Sequence, residues 1–129
     1  PPDLQNKERY ITDSICFNAC RLAHRVNGAA IVTMTFSGYT GFKIASFRPK
    51  AGVFVCTGNK EILNMLSLVW GVNVFYYDKF VSTDHTISDI KRLLKKEGKF
   101  KVNDLVINLA SMPISDKGQT NMMKLSYVE

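Results

Sequence analysis

Apolar residues recur along this chain in two alternating rhythms, one typical of helices and the other of buried strands. Between about residues 8 and 26 they lie three and four positions apart, which is the period of an amphipathic helix. The apolar face of this helix consists of Ile11, Ile15, Ala19, Leu22 and Val26. Short, nearly continuous apolar runs are typical of strands covered on both faces, and they occupy residues 29–35, 53–56, 72–77, 105–109 and 122–128.

Three more helices are predicted between these strands. One opens at residues 37–38 and ends before Pro49, because the residue before a proline disfavours helical backbone. The next is capped by Asn59 and is expected to turn Trp70 toward the core. The last begins at residues 86–89, which have the spacing of a capping box.

Strands that alternate with helices predict an α/β fold in which helices cover both faces of a mostly parallel sheet. The expected architecture has three layers, α/β/α, with the five strands in the order 3-2-1-4-5. Only residues 110–121 separate the last two strands, which suits an antiparallel final strand better than a crossover. The whole chain, residues 1–129, is interpreted as one domain.

Composition excludes several classes of protein. With 129 residues, 46% of them hydrophobic and 22% charged, the chain has the profile of a folded domain rather than a disordered or fibrous protein. No apolar run approaches the ~20 residues of a membrane-spanning helix, so no membrane partner is expected. Three cysteines, an odd number, indicate a reducing compartment, most simply the cytoplasm. The polar start without an initiator Met indicates a piece cut from a longer chain.

The charge balance points to an anionic partner. The formal net charge is +6, which favours phosphates, nucleic acids or acidic protein surfaces. The basic run at residues 91–101 suits nucleic acid, but lysines at the end of a helix are more often its solvated face. Because the chain shows none of the recognised nucleic-acid-binding motifs, no nucleic acid partner is expected.

The richest strand end for chemistry is the segment of residues 35–40. It presents three hydroxyls, a glycine and the start of a helix, where unpaired backbone N–H groups and the helix dipole favour an anion. Phosphate is the natural guest, although Ser37 has the alternative role of simply capping the helix. With the strand order 3-2-1-4-5, the loop of residues 115–121 lies beside this segment and is able to close over the same ligand.

Metal binding and catalysis are less favoured. Cys16, Cys20 and His24 share one helical stripe, but residues spread along one helix converge poorly on a metal, so the cysteines are interpreted as buried hydrophobic residues. The chain has no Walker loop, no nucleophile elbow and no paired His and nucleophile. From the residues alone, it is a small α/β domain with a candidate phosphate site.

Read in order, the motifs resemble the C-terminal domain of pyruvate kinase over essentially the whole chain. Residues 29–32 match the family's Ala-Ala-Ile-Val strand, and residues 35–40 match its Thr-x-Ser-Gly-x-Ser/Thr turn. Residues 47–51 match its Tyr/Phe-Arg-Pro-x-Ala segment, and residues 118–125 match its closing Gly-x-Thr-Asn-x-Met-Lys-Val.

The resemblance implies a glycolytic transferase whose full chain moves phosphate from phosphoenolpyruvate to ADP. In that family the substrate, divalent metal and potassium sites belong to a barrel domain, so this chain is expected to carry no catalytic residue and no cofactor of its own. The C-terminal domain instead holds the allosteric site and one subunit interface of a tetramer. Self-association is therefore expected, with the edge strand at residues 122–128 as the contact.

The resemblance also assigns an effector site. Its expected residues are Thr35, Phe36, Ser37, Gly38, Tyr39, Thr40, Lys117, Gly118 and Thr120. Members activated by fructose bisphosphate commonly carry basic side chains where Phe36 and Tyr39 stand, and an arginine about where Thr86 stands. Without those cations, and with Lys117 as the one cation expected nearby, the predicted effector is a sugar monophosphate or a nucleotide, or there is none.

Two alternatives to a regulatory, oligomer-forming domain remain open at this stage. One is a free-standing phosphometabolite-binding module or small hydrolase of the same fold. The other is a purely structural dimerisation module, which predicts no response to any ligand.

Overall fold

A computed structural model describes residues 4–79, 81–111 and 119–129. Helices and strands alternate in it as the apolar rhythms predict. Their order is α1 (Leu4–Arg25), β1 (Ala30–Met34), α2 (Tyr39–Ser46), β2 (Gly52–Thr57), α3 (Lys60–Leu66), β3 (Val72–Tyr76), α4 (Thr83–Lys96), β4 (Leu105–Ala110) and β5 (Met122–Tyr127).

The strands form one sheet in the order β3-β2-β1-β4-β5, which confirms the prediction. Four strands run parallel, and β5 pairs antiparallel with β4. The central strand β1 has every residue buried, since Ile31 pairs with Val53 on one side and with Ile107 on the other. A run covered on both sheet faces and flanked on both edges has no solvated position, which explains its continuous apolar sequence.

Helices cover both faces of this sheet and give two separate cores. Alternate residues of a strand point to opposite faces, so Ile31 faces one core and Val32 the other. The first core packs α1, α2 and α3 against the sheet, with Leu66 fully buried between them. The second packs α4 against the opposite face, with Ile90 and Leu94 in its centre. This is the expected three-layer α/β/α arrangement.

The predicted cap of α3 is correct in detail. The side chain of Asn59 accepts hydrogen bonds from the backbone nitrogens of Glu61, at 3.0 Å, and of Ile62, at 3.3 Å. These are two of the N–H groups that a helix start leaves without partners. The helix therefore begins where the sequence places it.

The predicted inward position of Trp70 is wrong. Helix α3 ends at Leu66, and Trp70 lies in the turn beyond it with 92% of its side chain exposed. Gly71 then adopts a φ of 84°, which redirects the chain into β3. The apolar spacing continues past the point at which the helix stops, so periodicity alone overestimates the buried face.

The predicted start of the fourth helix is also wrong, by one turn. Helix α4 begins at Thr83, and the Ser82 hydroxyl caps it by accepting from the backbone nitrogen of His85 at 3.2 Å. Thr86 lies inside the helix and is fully buried. The residue that caps a helix is the one whose hydroxyl reaches the free N–H groups at the helix start. In α4 that residue is Ser82, whereas the N–H groups near Thr86 are already bonded within the helix.

The predicted apolar face of α1 is confirmed in its middle and wrong at its two ends, since Ala19 is buried and Ile15 and Leu22 pack against the first core. Ile11 and Val26 are 40% and 41% exposed, whereas Thr12, Cys16 and Ala23 are buried. Small side chains in this stripe allow close approach between the helix and its neighbours. The spacing therefore identified the helix and the centre of its buried face, but not the small and polar side chains that complete that face.

One buried polar side chain connects β4 to the edge strand β5. Asn108 is fully buried, and its amide nitrogen donates to the Lys124 carbonyl at 3.0 Å and to the Ser126 hydroxyl at 2.8 Å. The antiparallel ladder pairs Asn108 with Lys124 directly. The amide therefore adds side-chain bonds to the backbone pairing of the two strands.

Candidate functional site

The segment of residues 35–40, here named the β1–α2 turn, folds back on its own backbone. The Thr35 hydroxyl accepts from the backbone nitrogen of Gly38 at 3.0 Å, and the Ser37 hydroxyl accepts from that of Tyr39 at 3.3 Å. Gly38 has a φ of 82°, in the left-handed region where a side chain is strained. The turn is thus held by two hydroxyls and one glycine at the carboxyl end of β1.

Ser37 is not the N-cap of the following helix. The N-cap position of α2 belongs to Gly38, which has no side chain to cap with, and no side-chain hydrogen bond caps the helix there. Ser37 is exposed, and its bond to Tyr39 is long for an O···N pair. The hydroxyl of Ser37 therefore faces solvent beside the positive end of α2.

The chain following β4 meets this turn, as the strand order requires. Thr120 and Thr40 are both buried, and their hydroxyl oxygens lie 2.8 Å apart. The Thr12 hydroxyl of α1 donates to the Thr120 carbonyl at 3.3 Å. Lys117 and Gly118, the other predicted site residues of this loop, lie outside the described residues. Thr40 and Thr120 thus support the turn from beneath, through a mutual hydrogen bond.

The backbone of Phe36 connects this turn to the neighbouring strand end. Its carbonyl oxygen is 3.5 Å from the side-chain nitrogen of Asn59, which lies in the turn that follows β2. This distance is long for a hydrogen bond. Asn59 is itself fixed, since its backbone nitrogen donates to the Thr57 hydroxyl at 3.1 Å. The strand ends of β1 and β2 are therefore connected at this edge.

A cluster on α1 was missed by the sequence analysis. The Tyr39 hydroxyl donates to Asp13 at 2.5 Å, and the Arg9 guanidinium lies 3.9 Å from the centre of the Tyr39 ring. Lys43 is 4.0 Å from the same carboxylate. Desolvation and the bond to Asp13 raise the pKa of the Tyr39 phenol, so it remains a neutral donor. The four-residue spacing of Arg9 and Asp13 is visible in the sequence, but not that this stripe faces α2.

The remaining candidates have structural roles. Burial raises the pKa of Cys16 to about 12 and that of Cys20 to about 11, so both thiols stay neutral. Within the described residues, no three His, Cys, Asp or Glu side chains come together in a way that suits a metal ion.

The basic run of α4 is partly engaged with the chain itself. Lys91 donates to the Tyr127 carbonyl at 2.9 Å, and Arg92 bonds Asp89 at 2.6 Å. Across residues 4–79, 81–111 and 119–129, no helix has both the length and the apolar character needed to cross a membrane.

Fold and motifs together define the class of the protein as an α/β domain with a candidate anion turn at the sheet's carboxyl edge. Residues 13–126 match the family model described as "Pyruvate kinase, alpha/beta domain". This chain belongs to the pyruvate kinase family.

Curated relatives and solved structures agree with the family match. Pyruvate kinases of Clostridium acetobutylicum and Lactobacillus delbrueckii subsp. bulgaricus are both 34% identical to the chain, over 96% and 97% of its length. The chain spans only 26% and 22% of those two relatives. A structure of Cryptosporidium parvum pyruvate kinase in complex with ADP superimposes with a TM-score of 0.82 at 27% identity, covering 92% of this chain and 24% of the other.

Proposed function

We propose that this chain is the regulatory, self-associating C-terminal domain of a pyruvate kinase, and that its β1–α2 turn binds the phosphate of an effector. The parent enzyme transfers phosphate from phosphoenolpyruvate to ADP, and that catalysis belongs to the rest of the parent chain. The family match and the small share of each relative that the chain spans support this assignment. The observation that carries the site is the convergence of an exposed hydroxyl, Ser37, with a left-handed glycine at the start of α2.

The chemistry of the turn suits a phosphate. Gly38 lets an anion approach the backbone closely, and the positive end of the α2 dipole favours negative charge there. The Ser37 oxygen accepts from the Tyr39 backbone nitrogen, and its own O–H is able to donate a charge-assisted bond to a phosphate oxygen at the same time. Thr35 and Thr40 are buried and hydrogen-bonded within the protein, so they hold the turn in shape, and both remain part of the proposed site.

The charges around the turn favour one phosphate over two. Phe36 and Tyr39 bring no cation into it, and Arg9 lies beside it, stacked on the Tyr39 ring. Asp13 offsets part of that charge, since it lies beside both Tyr39 and Lys43. The proposed effector is therefore a sugar monophosphate or a nucleotide.

Substitution Ser37→Ala is expected to weaken binding of the effector about tenfold to a hundredfold, because a hydrogen bond to a charged group contributes about 1.5–3 kcal/mol and ~1.4 kcal/mol is a factor of ten. The measurement is a thermal-shift titration with glucose 6-phosphate, ribose 5-phosphate, AMP, fructose bisphosphate and sulfate. A ligand at ~100 times its Kd adds about 2.7 kcal/mol and raises the Tm by several degrees.

The matched control for this titration is Ser46→Ala, which removes a hydroxyl at the other end of α2. That hydroxyl is exposed and donates to the Lys43 carbonyl at 2.6 Å. If a ligand raised the Tm of both variants equally, its binding site would lie elsewhere than the β1–α2 turn. No shift with any ligand would refute effector binding and leave assembly as the domain's function.

Self-association is supported by the exposed side of β5. Met123, Leu125 and Tyr127 point to one face of this edge strand and are 37%, 40% and 62% exposed. On the opposite face, Lys124 bonds Asp84 at 2.7 Å. An apolar stripe beside an unpaired strand edge offers another copy both backbone hydrogen bonds and a surface to bury.

Substitution Leu125→Glu is expected to shift the monomer–dimer equilibrium at least about tenfold toward monomer, because it places a charge in the apolar stripe. Sedimentation velocity over a micromolar to millimolar series measures this. The control is Leu68→Glu, since Leu68 is 87% exposed in the turn before β3. A wild-type chain that stays monomeric throughout the series contradicts the proposal.

A further inference from the structure

A cavity lies at the end of α2 opposite to the β1–α2 turn. Its volume is about 390 Å³, and it lies between the C-terminal half of α1 and the segment that follows α2. The eight residues of α2 separate the two places by about 12 Å along the helix axis. The cavity, here named the α1–α2 cleft, is therefore distinct from the proposed effector site.

The α1–α2 cleft is lined by cations without acidic partners. Four of its lining residues carry a permanent positive charge, namely Arg21, Arg25, Arg48 and Lys50, and no Asp or Glu of the described part of the chain lines it. Among the residues that the structure describes, none of these four side chains forms an ion pair. Cations near a helix C-terminus offset its dipole, but Arg48 and Lys50 lie beyond the last turn of α2.

Arg48 is also held in an uncommon backbone conformation. Its φ is 49°, in the left-handed region that glycine or asparagine usually occupies after a helix. Its backbone nitrogen donates to the Ala45 carbonyl at 3.1 Å, which ends α2. The strained position thus places a cation in the lining of the cleft where glycine or asparagine would be more relaxed.

Two aromatic rings form the apolar side of the cleft. Phe17 and Phe47 meet edge to face with their centres 5.7 Å apart, and Phe17 is 46% exposed. The Arg21 guanidinium lies 5.8 Å from the centre of the Phe17 ring. Cys20 adds a wall without charge, because burial raises the pKa of its thiol to about 11.

We propose that the α1–α2 cleft binds a small organic anion that carries a flat aromatic ring. The cavity has the size of a small-molecule pocket, and it combines apolar walls with a few charged groups, as such pockets do. A ligand ring packs against Phe17 and Phe47, while its carboxylate or phosphate bonds the guanidinium groups of Arg21 and Arg48. This inference does not depend on effector binding at the β1–α2 turn.

The test uses 2-naphthoate as the probe, followed by ¹H–¹⁵N correlation spectra of the whole chain. Two comparison compounds separate the contributions: 2-naphthamide keeps the ring without the charge, and acetate keeps the charge without the ring. Saturable shifts are expected for the amides of residues 17–25, 47, 48 and 50. Binding of 2-naphthamide is expected to be at least about tenfold weaker, and acetate weaker still.

Variants locate the charge and ring contacts. Arg21→Gln and Arg48→Gln are each expected to weaken 2-naphthoate binding about fivefold or more, and Phe17→Leu to weaken it similarly. The matched control is Lys60→Gln, because Lys60 also stands over an aromatic ring, 5.7 Å from the centre of Tyr76, but on α3. It is expected to leave the affinity unchanged.

Four outcomes overturn the inference. The first is no saturable binding, and the second is equal binding of 2-naphthoate and 2-naphthamide. The third is that the shifts are confined to residues 35–40. The fourth is that a second copy closes the cleft to the probe, which would be seen as dimers that Phe17→Leu dissociates. Shifts confined to residues 35–40 would support the effector site while removing this one. Binding in the cleft without any phosphate response at the turn would support the cleft site and remove the effector site.

Discussion

Substitution Gly38→Ala is expected to destabilise the fold by about 2 kcal/mol or more, through two separate effects. The left-handed backbone at a φ of 82° costs an L-residue about 1–2 kcal/mol. In addition, a Cβ at this position would lie 2.9 Å from the Cγ2 atom of Ile62, closer than van der Waals contact allows. The affinity of the β1–α2 turn for phosphate is expected to fall as well, because the turn must shift to relieve the contact.

Gly71→Ala is the matched control for the backbone contribution. Gly71 has a φ of 84°, nearly the same conformation, but a Cβ there meets nothing within 4 Å. Urea unfolding of both variants then separates strain from steric contact. Equal losses of unfolding free energy would show that the side chain of Ile62 moves aside without cost.

Substitution Asn108→Asp is expected to destabilise the fold by about 3 kcal/mol or more at neutral pH. The side-chain nitrogen of Asn108 donates to the carbonyl oxygen of Lys124, and a carboxylate oxygen in its place would repel that carbonyl. The Oδ1 atom of Asn108 has no hydrogen-bond partner in the structure, so the new charge would gain at most the Ser126 hydroxyl. The carboxylate would thus be buried and nearly uncompensated.

The pH dependence of Asn108→Asp has a definite sign. Burial raises the pKa of a carboxyl group in the folded state, so the folded variant binds more protons than the unfolded chain. Its stability is therefore greatest in acid and falls as pH rises from the unfolded pKa, ~3.9, through the raised folded value. Urea unfolding at acidic and neutral pH measures this difference relative to wild type.

The control for Asn108→Asp is Asn73→Asp in the other edge strand, β3. Asn73 also donates from its side chain to a backbone carbonyl, that of Val53 at 3.3 Å, but it is exposed. Water solvates a carboxylate there, so a change of at most about 1 kcal/mol with weak pH dependence is expected. A similar loss at both positions would contradict burial as the cause.

Much of the fold was predictable because its strands are short apolar runs, bounded by residues that start or end helices. The continuous run of β1 indicates burial on both faces, and the alternation with helices restricts the topology to a few right-handed crossovers. The brief connection before β5 then requires the antiparallel last strand. Each of these inferences uses local signals whose physical cause is also local.

The errors arose where long-range packing decides between local alternatives. Spacing marks Ile11 and Thr12 as members of adjacent stripes on one helix, and only contact with the sheet and β5 selects Thr12. The candidate turn was found from its own six residues, and the strand order anticipated Thr120 beside it. Arg9 was not found, because its position over Tyr39 depends on how α1 crosses α2.

The support beneath the β1–α2 turn has a consequence for how the protein is made. Thr120 bonds Thr40 across 80 residues of chain and Thr12 across 108. Synthesis from the N terminus completes the residues of the turn first, and Thr120 is added only 80 residues after Thr40. Contacts of such long sequence separation form slowly and late. The turn is therefore fully supported only after Thr120 has been added and has paired with Thr40.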